Sequence, residues 1–83
     1  MIYITHYSDF ETYTCFKERL QEIGYRDSEG PHGNFLMVIP ERKVFERVPF
    51  VFACEFINGP QGHNYKLVPF NELIEKISPA RGL

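Results

Sequence analysis

Residues 50–57 read FVFACEFI, and how they fold sets the architecture of the whole chain. Three phenylalanines and two β-branched residues, bounded by Pro49 and by Asn58-Gly59-Pro60, predict a strand. Strand side chains alternate, so Phe50, Phe52, Cys54 and Phe56 would share one face of a sheet. Val51, Ala53, Glu55 and Ile57 would share the other. Pro49 fits a break before such a strand, because proline has no N–H to donate to a ladder. Cys54 then reads as a small core residue.

Upstream lies a hairpin. FLMVIP (35–40) and KVFERV (43–48) are its strands, and Pro40-Glu41 suits the centre of a type I turn. FLMVI is apolar at both parities, so both faces of the sheet carry apolar groups. Downstream, residues 58–64 predict a loop and YKLVP (65–69) a last short strand. FNELIEKI (70–77) predicts a short helix started at Asn71, and the tail 78–83 is expected to be loose.

The N-terminal third opens with MIYITH (1–6), a β-branched and aromatic strand. Phe10, Tyr13, Phe16, Leu20 and Ile23 then recur at spacings of 3, 3, 4 and 3, which puts them on one stripe of a helix over about 9–23. Ser8 and Glu11 have the spacing of a capping box, and Gly24 supplies a left-handed stop over which Tyr25 folds back. RDSEGPHGN (26–34) predicts a loop.

These elements predict one α+β domain over 1–83 in two layers. One long helix packs on a four- to five-stranded, mainly antiparallel sheet, in the order β-α-β-β-β-β-α. A single helix covers a single sheet face. The other is either partly covered by the C-terminal helix, through Leu73, Ile74 and Ile77, or serves as a contact for another protein or a second copy, a homodimer.

Composition narrows function. The 83 residues are 43% hydrophobic, with eight Phe and five Tyr, enough for a packed core. No apolar run reaches the roughly 18 residues of a membrane span, and MIYITHYSDF does not resemble a signal peptide. Two cysteines without a C-x-x-C spacing suit reduced thiols in a cytoplasmic protein. The formal charge of -2 argues against nucleic acid, whose binders carry a basic excess. An aromatic sheet face also occurs in single-strand RNA binders, but the K/R-G-F/Y signature of those domains is absent.

Two loops echo each other, GPHGN (30–34) and GPQGHN (59–64). Each is expected to lead into a strand, not into the helix a phosphate cradle requires, so both read as turns. The first is expected to follow a helix and the second a strand, which argues against a repeat. His6, His32 and His63 lack the paired spacing of a zinc site, so no metal or other cofactor is expected. Neither G-x-S-x-G nor H-E-x-x-H occurs, and the carboxylates are scattered over several elements. A non-enzymatic role is expected.

Two surfaces are candidate partner contacts. Cys15 falls opposite the apolar stripe of the first helix, beside Glu11, Glu18 and Glu22, whose charges disfavour a thiolate. Glu41, Arg42, Lys43, Glu46 and Arg47 form the loop–hairpin region. A competing expectation is a nucleic-acid-binding regulator using Arg19, Arg26, Arg42, Lys43 and Arg47.

A strand, a capped helix ending in Leu20-x-x-x-Gly24-Tyr25, a short sheet and a closing strand with an acidic helix resemble small proteins encoded by bacteriophages and prophages. Arg26 stands where a tryptophan often follows the Gly-Tyr pair in that group. The resemblance implies an accessory protein that binds a host protein. It points to an inhibitor of a defence or regulatory protein, such as a CRISPR effector or a restriction nuclease. It carries over no catalytic residue.

Overall fold

The computed structural model describes residues 1–30 and 32–78. The order is β1 (Ile2–His6), α1 (Phe10–Glu22), β2 (Arg26–Asp27), β3 (Phe35–Ile39), β4 (Val44–Val48), α2 (Phe50–Asn58), β5 (Tyr65–Leu67) and α3 (Phe70–Ile77). A 3-10 turn, Gly62–Asn64, leads into β5. The chain is α+β as expected, but the finer architecture differs in three ways.

First, FVFACEFI is a helix. Its apolar residues satisfy two periods at once, and Phe50, Ala53, Cys54 and Ile57 stand at i, i+3, i+4 and i+7. Pro49 stands at the N-cap, where its missing N–H costs nothing, and its carbonyl accepts from Ala53 N–H at 3.0 Å. Gly59 and Pro60 end the helix, because proline cannot continue it. Ala53, only 2% exposed, turns to the sheet and meets Ile4, Met37 and Val48. The small side chain lets the helix approach closely. Three helices therefore replace the one long helix, and the thirteen residues of α1 are an ordinary length.

Second, the sheet is mixed. Its order is β2-β4-β3-β1-β5. β1 pairs with β3 and β3 with β4 antiparallel, whereas β1–β5 and β2–β4 are parallel. β3 alone therefore runs against the other four. The crossover through α2 makes β5 parallel to β1, since a strand that follows a helix enters from the same end as the first. β2 lies in the segment expected to be loop, and is held through Arg26 N–H to Lys43 O at 2.9 Å and Ser28 N–H to Phe45 O at 2.9 Å.

Third, both sheet faces are covered. Register places Tyr3, Thr5, Leu36, Val38, Phe45 and Arg47 on the first face. α1 and α3 cover it through Tyr13, Leu20, Leu73 and Ile74. Ile4, His6, Phe35, Met37 and Val48 lie on the second face, and α2 crosses it through Ala53, Phe56 and Ile57. The arrangement has a layer on each side of the sheet. α2 thus covers the middle of the second face and leaves its margin open, and the C-terminal helix, expected there as an alternative, lies on the first.

Smaller corrections follow from local chemistry. Asp9, not Ser8, caps α1: its Oδ1 accepts from Thr12 N–H at 2.7 Å. That bond to the charged form holds the Asp9 carboxyl below its ordinary range. α3 begins at Phe70, so Asn71 is in its first turn rather than at its cap. The Pro40-Glu41 turn forms as expected, with Arg42 N–H to Ile39 O at 3.2 Å, and Lys43 takes the left-handed position beside it at φ 54°. The second Gly-Pro loop follows a helix, not a strand. The expected loose tail lies, beyond Ser78, outside the described residues.

Candidate functional site

The direction of the strands gathers one end of the molecule. Four strands finish there, at His6, Asp27, Val48 and Leu67, and β3 begins there at Phe35. The three α-helices of the described residues start there too, each with a phenylalanine: Phe10, Phe50 and Phe70. In sheets of largely parallel direction, ligands meet the carboxyl ends of strands, where loops vary without disturbing the core.

Two features occupy this end. The first is an apolar strip along the margin of the second face that α2 leaves uncovered. Phe50 meets Phe35 with ring centroids 5.9 Å apart, and Phe35 meets His6 at 5.0 Å. His6 then borders a groove of about 470 Å³ lined also by Thr5, Leu67, Val68, Pro69 and Phe70. Phe50 is 66% exposed and Leu67 57% exposed. Val51 and Phe52 extend the exposed apolar surface along α2.

The second is a polar pocket of about 340 Å³, bordered by Asp27, Glu29, Gly30, His32 and Arg47. The Arg47 guanidinium lies 4.7 Å over the Tyr13 ring, a cation–π contact. Tyr13 donates its hydroxyl hydrogen to Asp27 Oδ2 at 3.3 Å, and Lys17 Nζ approaches the same oxygen at 3.5 Å. Glu29 N–H donates to Asp27 Oδ1 at 2.8 Å, with Glu29 itself left-handed at φ 57°. The Tyr7 hydroxyl donates to the Gly33 carbonyl and pins the loop over this end. Burial raises the Tyr7 pKa, with Arg47 opposing in part. Burial also raises the Tyr13 pKa, reinforced by the Asp27 charge.

The expected contact residues are dispersed. Glu11, Cys15, Glu18 and Glu22 are exposed on α1, and Glu22 pairs with Arg19 at 3.6 Å. Glu41, Arg42 and Lys43 sit on the β3–β4 turn at the opposite end of the sheet. Glu46 and Arg47, neighbours in sequence, project to opposite faces of β4, so the loop–hairpin cluster is split. Of that set only Arg47 lines the pocket. Tyr7, Tyr13, Lys17 and Asp27 were missed as site residues because their convergence depends on the β2–β4 pairing, and two-residue β2 has no sequence signal.

Arg26, Arg42 and Lys43 lie at the same, turn end of the sheet, where Arg26 N–H donates to the Lys43 carbonyl, and all three are exposed. His63 lies in the 3-10 turn at that end, away from His6 and His32. Among the described residues, no three histidine, cysteine or acidic side chains are placed to share a metal ion. No helix among the described residues is long and apolar enough to cross a membrane.

Comparison with protein families finds no matching family model, and comparisons with curated proteins and with solved structures find no match either.

Proposed function

We propose that this chain is a non-catalytic protein-binding module of the cytoplasm that docks through the apolar strip at the carboxyl end of its sheet. One observation carries the reading: Phe50 and Leu67, each more than half exposed, flank Phe35 and His6 in one strip on a domain of only 83 residues. Contiguous exposed apolar surface favours a macromolecular contact, and aromatic side chains supply most of the energy at such contacts. The resemblance to phage-encoded accessory proteins supports a host protein as partner, with inhibition of a defence or regulatory protein as the outcome. A second copy of the chain on the same strip is the competing occupant.

The test uses the tagged full chain and a Phe50→Asp/Leu67→Asp double variant, each incubated with bacterial host lysate. The expected result is one retained protein, bound at low and moderate salt and lost with the variant, while circular dichroism shows the variant folded. Retention unaffected by the two substitutions overturns the reading. Concentration-dependent dimerisation in sedimentation, without a retained protein, replaces the host partner with a second copy.

A nucleic-acid-binding regulator is the second reading, supported by the placement of Arg26, Arg42 and Lys43 at one end of the sheet. Affinity that falls steeply as salt rises, and that Arg42→Ala/Lys43→Ala removes, is its signature.

A further inference from the structure

The polar pocket beside Arg47 is separate from the apolar strip, and its chemistry points to a different kind of ligand. Arg47 makes no ion pair among the described residues. Its guanidinium is nonetheless held in place by the Tyr13 ring beneath it. Such a group, oriented and uncompensated, presents parallel N–H donors with the geometry of a carboxylate.

The acidic side of the pocket is asymmetric. Asp27 is already engaged by Lys17, the Tyr13 hydroxyl and the Glu29 N–H. Glu29 makes no ion pair among the described residues, and its carboxylate is the uncompensated negative charge on the rim. Beside His32 and the Asp27 carboxylate already engaged, the cavity therefore sets one guanidinium and one carboxylate without an ion-pair partner among the described residues around about 340 Å³ of space. A simple anion would meet repulsion from Glu29 and Asp27, and a simple cation repulsion from Arg47. An apolar molecule would leave both charges unpaired, which is costly once water is displaced. The volume lies at the bottom of the range for ligand pockets, which favours a small molecule over a nucleotide.

We infer that this pocket binds a small zwitterion of the α-amino-acid type, with its carboxylate on the Arg47 guanidinium and its ammonium group on the Glu29 carboxylate.

The test is a nitrogen-15 NMR titration of the full chain with glycine, alanine and glutamate. N-acetylglycine, which lacks the ammonium, and glycinamide, which lacks the carboxylate, serve as paired probes. The expected result is a saturable shift of the Glu29, Gly30 and Arg47 amides with the free amino acids, and at least about tenfold weaker binding of either blocked probe. Glu29→Gln, a change at an exposed position, weakens the free amino acids about tenfold, whereas N-acetylglycine, relieved of the Glu29 repulsion, binds at least as well as before. Arg47→Met removes the response altogether. No saturable shift with any free amino acid at about 10 mM overturns the inference. So does N-acetylglycine binding as tightly as glycine, which would make the pocket a plain anion site. The α2 and β5 amides should stay still throughout, so the result is independent of whether the apolar strip binds a protein.

Discussion

The two faces of the sheet are covered to different depths. On the first face, α1 and α3 together close over Leu36, Val38 and Phe45, all at 0% exposure, and bring Leu20 and Leu73 to 0% as well. On the second, α2 alone spans the strands, and the buried cluster beneath it is limited to Ile4, Met37, Val48 and Ala53. Ile2, Phe35, Ile39, Phe56, Ile57 and Tyr65 stay partly open there. Burial of a large apolar side chain contributes about 1.5–3 kcal/mol, so the first face holds most of the stability. The second keeps its rings near water, which is what a contact surface requires. Division of labour between the faces accounts for how so small a chain both folds and shows apolar surface.

The largest effect that tests this division is Phe45→Ala. Deleting a fully buried ring at the centre of the first face should cost about 3–5 kcal/mol in urea unfolding. Phe56→Ala, on the second face, removes a ring that is only partly buried and stacked on Tyr65 with centroids 5.3 Å apart. Its loss should be about 1–2 kcal/mol. Equal losses would show that the faces are equally important and break the comparison.

Ala53→Leu asks whether α2 really lies on the sheet with its smallest residue inward. Three further carbons have no room against Ile4, Met37 and Val48, so a loss of about 1–3 kcal/mol is expected. Val51→Lys, two residues earlier and 56% exposed, should change stability by less than about 0.5 kcal/mol. On a strand, Val51 and Ala53 would share a face and respond alike. The pair of variants therefore reads the secondary structure directly.

What the sequence disclosed follows the same line. α1 is legible because its stripe alternates with charged residues and Gly24 stops it; the structure begins it one residue later and ends it one residue earlier than expected. α2 is not legible from its pattern. FVFACEFI has a single charged residue, Glu55, so no polar face breaks the tie between a period of 2 and a period of 3.6. The better signal was punctuation: Pro49 before and Asn58-Gly59-Pro60 after are the marks of a helix. This one segment sets the layer count and the sheet direction together, because the crossover fixes how β5 enters. The pocket was hidden for another reason. Beside Arg47 on β4, its surroundings come from three further segments, Tyr7 after β1, Tyr13 and Lys17 on α1 and Asp27 on β2, brought together by long-range pairing.

Alkaline pH tests the first face more gently. Tyr7, Tyr13 and Tyr25 all have pKa values raised above 10.0, chiefly because burial disfavours the phenolate. A raised folded-state pKa means that the stabilisation is fully present below the unfolded value. It is lost as pH rises through the folded-state values. Melting temperature should therefore hold below pH 10.0 and fall above it. Tyr25→Phe, which keeps the ring and removes the ionisable group, should flatten part of that fall. A melting temperature indifferent to pH above 10.0 would mean that these hydroxyls are as free in the fold as in the unfolded chain.

The smallest expected effect on stability belongs to Phe50, and it separates the two faces most sharply. The ring is 66% exposed and meets Phe35 only at its edge, with centroids 5.9 Å apart. It also begins α2, where Pro49 already sets the helix start. Phe50→Ser should shift unfolding by less than about 0.5 kcal/mol. The same substitution should weaken docking by about 2 kcal/mol, or about thirtyfold, if the ring anchors a partner. A large loss of stability would place Phe50 in the core rather than the strip. Unchanged stability with unchanged docking would move the contact surface elsewhere, while leaving the uneven covering of the sheet intact. The variant thus tests function without disturbing the packing on which the rest of the molecule depends.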